Sequence, residues 1–250
     1  MIKGAHSFKS ILKLLTVFIV FFCSTIVASQ EIPYLETILS QLDLDLSECK
    51  TDLVVAKVHP DNPEKTIVVI PEIVQEKEDY FELNSHIVII ETDTGKIKSR
   101  FFESSVTNEW YSDAVRLAEI KIDTAPYDIS DTRNAFGIRV YYYNNSHPNP
   151  YSHETISLFF DENNTLKQVL KNFEMMYYGG EVDSECEADL SGVEKVLILK
   201  ETKTNGYFDI LVKSIVKTTT RKEASNGDCV EDEKITNQDQ VLKFKNGKYQ

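Results

Sequence analysis

The sequence predicts a mainly β protein, an antiparallel β-sandwich or a propeller-like stack, with one short N-terminal helix. Apolar and polar residues alternate with a period of two over much of residues 65–250, which is the spacing of half-buried strands. Turn-forming residues such as Asp93-Thr94-Gly95 separate these runs. A convincing helical period occurs in one segment, so a parallel sheet with helical crossovers is not expected.

The helical segment comes first along the chain. Apolar residues recur three and four positions apart in residues 34–42, and Pro33 suits the first turn of a helix. We expect this helix to cover part of a sheet.

The predicted strands follow in chain order. The first, TIVVIPEIV, contains Pro71, which marks an edge or a bulge. Two hairpins are predicted where turn residues join alternating runs, at FELNSHIVII-TDTG-KIKSRFF and at TISLFF-DENN-TLKQVL. The other predicted strands are RLAEIKIDT, AFGIRVYYY, FEMMYY, VEKVLILK, YFDILVKSIVKTTT and DQVLKFKNGKYQ.

The N-terminal residues predict export. Residues 1–29 contain three lysines, no acidic residue and a short apolar run before Val27-Ala28-Ser29, which is typical of a secretory signal peptide. An uncleaved anchor is the alternative, but the apolar run is shorter than the roughly 20 residues of a membrane span. We therefore predict a periplasmic or secreted protein with a signal peptide at 1–29, a helical segment at 30–50 and an antiparallel β domain at 51–250.

The charge of the mature chain limits its partners. The whole chain has 27 Lys and Arg against 40 Asp and Glu, and residues 1–29 remove three basic residues and no acidic one. The mature chain therefore has 24 basic and 40 acidic residues, a net charge of −16. Nucleic acids and anionic membrane surfaces bind basic patches, so we expect neither of them as a partner. A basic protein, or no partner at all, fits this charge.

Export to an oxidising compartment predicts a disulfide bond among the three remaining cysteines. Cys186 and Cys229 lie in the polar loops GGEVDSEC and SNGDC, each beside a predicted strand. We predict a Cys186–Cys229 bond, which contributes about 3–4 kcal/mol through chain entropy. Cys49 is then buried, or it pairs with one of the other two instead.

An acidic loop is the first candidate for partner binding. Glu181, Asp183 and Glu185 follow Gly179-Gly180, and their carboxylates suit the arginine or lysine side chains of a basic partner. Two such carboxylates could also catalyse glycoside hydrolysis. A solvated loop without a function is the simplest interpretation of a charge run.

The loop NNSHPNPYSHE, residues 144–154, is the second candidate, and it offers Tyr151 and His153 for recognition. His147, His153 and Glu154 include zinc-ligand types, but an extended loop lacks the fixed spacing that a helix gives such ligands. We predict a rigid surface loop, and no metal or cofactor. No Gly-x-Ser-x-Gly or Gly-x-x-x-x-Gly-Lys motif occurs, so an enzyme is the less favoured class.

The stretch TNGYFDILV, residues 204–212, resembles the strand motif of FG-GAP-like propeller repeats, where an Asn-Gly turn leads into an aromatic residue and an aspartate. With VLKFKNGKYQ it also resembles the closing part of periplasmic lysozyme inhibitors. From AFGIRVYYY onward, the arrangement is similar to exported bacterial β-rich proteins without an assigned activity. The turn lacks the spaced carboxylates of calcium-binding repeats, so Asp209 is expected to accept hydrogen bonds from the turn backbone.

These observations predict an exported, non-catalytic binding protein. The leading class is an inhibitor or immunity factor for a cationic cell-wall hydrolase, which acidic residues would attract. An envelope structural protein and a hydrolase that uses the acidic loop are the alternatives.

Overall fold

A computed structural model describes residue 32 and residues 34–250 of the chain. The predicted signal peptide at residues 1–29 lies outside the described residues. Helix α1 (Leu35–Leu42) is the predicted N-terminal helix, and it buries Ile38 and Leu39. In the described part of the chain, no helix is long and apolar enough to cross a lipid bilayer.

Strands make up most of the described chain, as the alternating pattern predicts. Two short 3-10 turns, Leu46–Glu48 and Thr51–Leu53, lead from α1 into the strands, and a single helical turn, α2 (Ser105–Asn108), follows the fourth strand. The strands are β1 (Val55–His59), β2 (Asn62–Lys77), β3 (Tyr80–Glu91), β4 (Ile97–Glu103), β5 (Tyr111–Ser112), β6 (Arg116–Ser130), β7 (Arg133–Tyr143), β8 (Tyr151–Glu162), β9 (Thr165–Ser184), β10 (Glu187–Thr204), β11 (Tyr207–Glu223), β12 (Cys229–Leu242), β13 (Phe244–Lys245) and β14 (Lys248–Tyr249).

Eight strands form a sheet that is nearly closed into a barrel. Their order is β1-β2-β3-β4-β9-β8-β7-β6, and β1 lies against β6, where Lys57 Nζ donates a hydrogen bond of 3.3 Å to the carbonyl oxygen of Ile122. Neighbouring strands are antiparallel except β4 and β9, which meet in parallel at Arg100 and Thr165. The predicted mainly β class with a short N-terminal helix is confirmed.

Two apolar clusters hold this sheet. Because adjacent strand residues point to opposite faces, Phe159 lies in a cluster inside the barrel, while Leu158 lies in a second cluster outside it. Strand β10 pairs with β9 as far as Glu194, and its second half packs Leu197 and Leu199 against that outer cluster. Strands β10–β12 therefore form a second layer over one side of the barrel. Each fully buried apolar side chain in these clusters contributes roughly 1.5–3 kcal/mol to the stability of the fold.

The TNGYFDILV stretch is the hairpin between β10 and β11. Asn205 and Gly206 have φ of 53° and 84°, as a type I′ turn requires. Asp209 is buried and accepts hydrogen bonds from Thr204 Oγ1 at 2.7 Å and Thr202 Oγ1 at 2.8 Å. The expected acceptance from the turn backbone is therefore wrong. Burial raises the pKa of Asp209, but the two threonine hydrogen bonds, together with the charges of Lys243 and Lys200, outweigh it and hold this pKa below its ordinary value.

The predicted Cys186–Cys229 disulfide bond is confirmed. It joins the turn between β9 and β10 to the first residue of β12. Cys49 is buried and forms no disulfide bond with the other described cysteines, and burial raises the pKa of its thiol to about 11. A disulfide bond fits a protein that leaves the reducing cytosol.

Candidate functional site

A cavity of about 240 Å³ opens at the end of the barrel where α2 and the loop before β8 lie. Its wall contains Tyr151 and His153, which the sequence singles out for recognition. Asn108, Asn172 and Thr155 also line it. The other aromatic residues of the lining are Trp110, Tyr111 and Tyr142.

The two asparagine amides of the cavity are held by the protein itself. Asn108 Nδ2 donates to the carbonyl oxygen of Leu83 at 2.9 Å, and Asn108 Oδ1 accepts from the backbone N–H of Trp110 at 2.8 Å. Asn172 Nδ2 donates to the carbonyl oxygen of Asn108 at 3.2 Å, and the N–H of Asn172 donates to Ser157 Oγ at 2.9 Å. These bonds fix this part of the wall, so contact with a ligand falls mainly to the aromatic side chains.

The aromatic side chains form a connected wall. Tyr142 Oη donates to the carbonyl oxygen of Glu109 at 2.8 Å, which fixes that ring. The His153 ring centroid lies 6.1 Å from that of Tyr142 and 6.3 Å from that of Tyr151. Tyr151 meets Tyr177 edge to face at 5.8 Å. Burial raises the pKa of both Tyr142 and Tyr151, so both phenols stay neutral.

Three neighbouring charges shift the pKa of His153 in opposite directions, since the carboxylates of Glu174 and Glu109 raise it and the ammonium group of Lys195 lowers it. Burial lowers the pKa of its ring, and the Glu174 carboxylate, 3.9 Å from Nε2, acts in the opposite direction. Lys195 Nζ lies 2.8 Å from the other oxygen of Glu174, and its charge lowers the pKa of His153 further. The pKa remains below its ordinary value of 6.5, so the ring is mainly neutral at pH 7.

Strand register extends this wall across the sheet. Tyr142 pairs with His153, His153 with Tyr177, Tyr177 with Val193, and Val193 with Val216. Directly paired residues of antiparallel strands point to the same face. These five residues, which we call the aromatic row, therefore run on one face from the interior of the barrel onto β10 and β11.

Glu181, one of the predicted acidic residues, lies on the same face. Glu181 is four positions beyond Tyr177 on β9, an even number, so both side chains point the same way. Glu181 pairs with Asp189, Asp189 with Thr220, and Thr220 with Asp232. We call these four residues the acidic row, and at roughly 3.3 Å per residue it lies about 13 Å from the aromatic row.

The structure thus brings together two sets of residues that the sequence keeps apart. Tyr151 pairs with Gly179, two positions from Glu181. Asp183 and Glu185 continue from Glu181 to the turn before β10, and both side chains are exposed. None of the three acidic residues lines the cavity, so they border the aromatic wall rather than form part of it.

Sequence analysis singled out Tyr151 and His153 but missed the other residues of the cavity and of the aromatic wall, because their positions depend on long-range pairing. Trp110 and Asn172 carry no local signal for a site. Tyr142 and Tyr177 occur in runs of consecutive tyrosines, and strand register decides which face of the sheet each ring points to. His147 stays in the exposed loop, outside the cavity, and no three or more His, Cys, Asp or Glu among the described residues are grouped to hold a metal ion.

No family model, no curated protein and no solved structure matches the chain. The resemblances to FG-GAP-like repeats and to periplasmic lysozyme inhibitors therefore stay predictions.

Proposed function

We propose that the chain is an exported, non-catalytic binding protein that captures a basic protein with the face carrying the acidic row and the aromatic row. The observation that carries this proposal is the strand register, which puts Glu181 and His153 on one surface. A cationic cell-wall hydrolase, met in the periplasm or outside the cell, is the partner class that the charge favours.

Electrostatics supports a basic partner. Residues 181–189 contain five carboxylates and no lysine or arginine, and Glu181 and Asp189 are exposed. Such a cluster accelerates the encounter with a cationic surface and acts over about 8 Å at physiological ionic strength. Its contribution therefore falls as salt is added.

The aromatic row supports affinity. Tyrosines are frequent among the residues that dominate protein interfaces, and Tyr151 and Tyr177 lie on the same face as the acidic row. Their wall is fixed by hydrogen bonds in the absence of a partner, so less conformational freedom is lost on binding. Acidic residues would then set the rate of association, and the aromatic wall the lifetime of the complex.

The test compares two variants of residues 30–250 that lose the same three negative charges. The first carries Glu181→Gln, Asp183→Asn and Glu185→Gln. The control carries exposed substitutions at the opposite end of the barrel, near α1 and the start of β2, namely Glu36→Gln, Asp43→Asn and Glu64→Gln.

Each protein is immobilised and exposed to an envelope extract of the source cells at low salt and at about 0.5 M salt, where the Debye length is about 4 Å. We expect the wild type and the control to retain the same basic protein and to release it in high salt. The first variant should retain much less of it. Equal retention by both variants would remove the acidic residues from the site. Retention of nothing by the wild type would contradict the proposed function.

A further inference from the structure

Most of the side chains that line the cavity at the barrel end are aromatic or acidic. Five are aromatic, namely Trp110, Tyr111, Tyr142, Tyr151 and His153, and the two charged ones, Glu109 and Asp113, are both acidic. Among the described residues, no lysine or arginine lines it. We propose that this cavity binds an organic cation, a guanidinium or alkylammonium group, between its aromatic side chains and its two carboxylates.

The physical reason lies in the charge distribution of aromatic rings. Each ring carries negative charge on its faces, so a cation within about 6 Å of its centroid is attracted. Glu109 and Asp113 are exposed at the rim and add an attraction that reaches an approaching cation before contact. The same groups repel anions, so the cavity discriminates by charge.

The nearest cations of the protein do not compensate this charge. Lys195, next to His153, is bound by Glu174 at 2.8 Å. Lys50, Lys77 and Arg116 line an adjoining open groove together with three carboxylates of its own, Glu76, Glu78 and Asp79, and Asp113 lies at the border of the groove and the cavity.

The size of the cavity restricts the ligand. Its volume of about 240 Å³ is below the roughly 300–1,000 Å³ of pockets that enclose drug-sized molecules. It suits a group of a few heavy atoms, such as the head of an arginine side chain or a small quaternary amine. The hydrogen bonds of Tyr142, Asn108 and Asn172 hold the wall in place without a ligand, which lowers the cost of binding.

Two sources of this cation are consistent with the chemistry. If the proposed function holds, on which this part of the inference rests, the cation is an arginine or lysine side chain of the basic partner. Otherwise it is a free small amine. The two sources require different probes, because a side-chain model carries an amide backbone and a free amine does not.

Trp110 makes the test direct, because it is the single tryptophan of the chain and it lines the cavity. Its fluorescence is measured in residues 30–250 during titration with N-acetyl-arginine amide and with tetramethylammonium. The neutral counterparts, N-acetyl-citrulline amide and neopentyl alcohol, serve as controls of similar shape. We expect a saturable change with at least one cation and none with its neutral counterpart.

Variants assign the response to the cavity. Tyr151→Leu should weaken binding of the cation by about 2- to 30-fold, the range of one cation–π contact, whereas Tyr151→Phe keeps the ring and should bind as the wild type does. Tyr178→Leu is the matched control, because Tyr178 is 42% exposed and points to the opposite face of β9 from Tyr177. Circular dichroism checks that all three variants fold.

The outcomes separate this inference from the proposed function. Saturation by the arginine probe supports a partner side chain, and saturation by tetramethylammonium alone supports a free amine, even if no basic protein is retained. Equal responses to cations and neutral counterparts, no saturation with either cation, or equal losses in Tyr151→Leu and Tyr178→Leu would overturn the inference. Capture of a basic protein through the acidic row would be unaffected by any of these failures.

Discussion

Replacing both cysteines of the Cys186–Cys229 bond with serine should destabilise the protein mainly through its unfolded state. The bond joins residues 43 apart in sequence, and neither sulfur belongs to the two apolar clusters. For a loop of this length, loss of the constraint on the unfolded chain corresponds to about 4 kcal/mol at 25 °C. This is a large part of the 5–15 kcal/mol that is typical of a folded domain.

Urea unfolding of residues 30–250, followed by Trp110 fluorescence, measures this loss, because Trp110 is buried in the inner cluster of the barrel. We expect a lower midpoint and a steeper dependence on urea, since the unlinked chain exposes more surface when it unfolds. Reductant should bring the wild type to the stability of the double variant and leave that variant unchanged. A loss of unfolding free energy below about 1 kcal/mol would contradict a stabilising role of the bond through the unfolded state.

Three further predictions concern the site and the layers around it. Gly180→Ala should lower the free energy of unfolding by about 2 kcal/mol or more, because φ at Gly180 is +152° and a Cβ there would lie 2.0 Å from a backbone oxygen. In Gly192→Ala the nearest atom to the new Cβ is 3.6 Å away, so the same urea assay should show a loss below about 1 kcal/mol. The pKa of His153 is lowered in the fold, so as the pH falls the unfolded chain binds this proton before the folded chain does, and the free energy of unfolding should fall below pH 6.5. His153→Gln should make this fall less steep. An unchanged slope would contradict the lowered pKa. Leu158→Ala should lower the free energy of unfolding by about 2–5 kcal/mol, because Leu158 is fully buried between the layers. Val196→Ala, at a position 60% exposed, should lower it by less than about 1 kcal/mol. Equal losses in thermal or urea unfolding would contradict the two-layer arrangement.

Local patterns predicted the features that depend on neighbouring residues. The alternation of apolar residues, the Asn205-Gly206 turn and the helix ending at Leu42 each have a signal within a few positions. The Cys186–Cys229 bond could be predicted because export and two polar loops restrict the choice. These features needed no knowledge of which strands are neighbours.

The rest depends on pairing between distant strands. Strand β6 continues past Pro126 to Ser130, because the pairing with β7 shifts register between Asp123 and Tyr127, and an irregular site tolerates a proline. The aromatic row requires the register of five strands at once, and a slip of one residue would turn each side chain to the other face. The hydrogen-bond partners of Asp209 could have been predicted from the sequence, because a two-residue hairpin places its threonine neighbours on the adjacent strand.

The proposed binding face is built from β7 to β12. Hydrogen exchange of residues 30–250, measured with and without the retained basic protein, locates this face, because binding slows the exchange of the amides that it covers. The proposal predicts slower exchange in residues 151–153 and 177–193 and no change in α1 or residues 60–64. Slower exchange confined to α1 and residues 60–64, at the opposite end of the barrel, would contradict it.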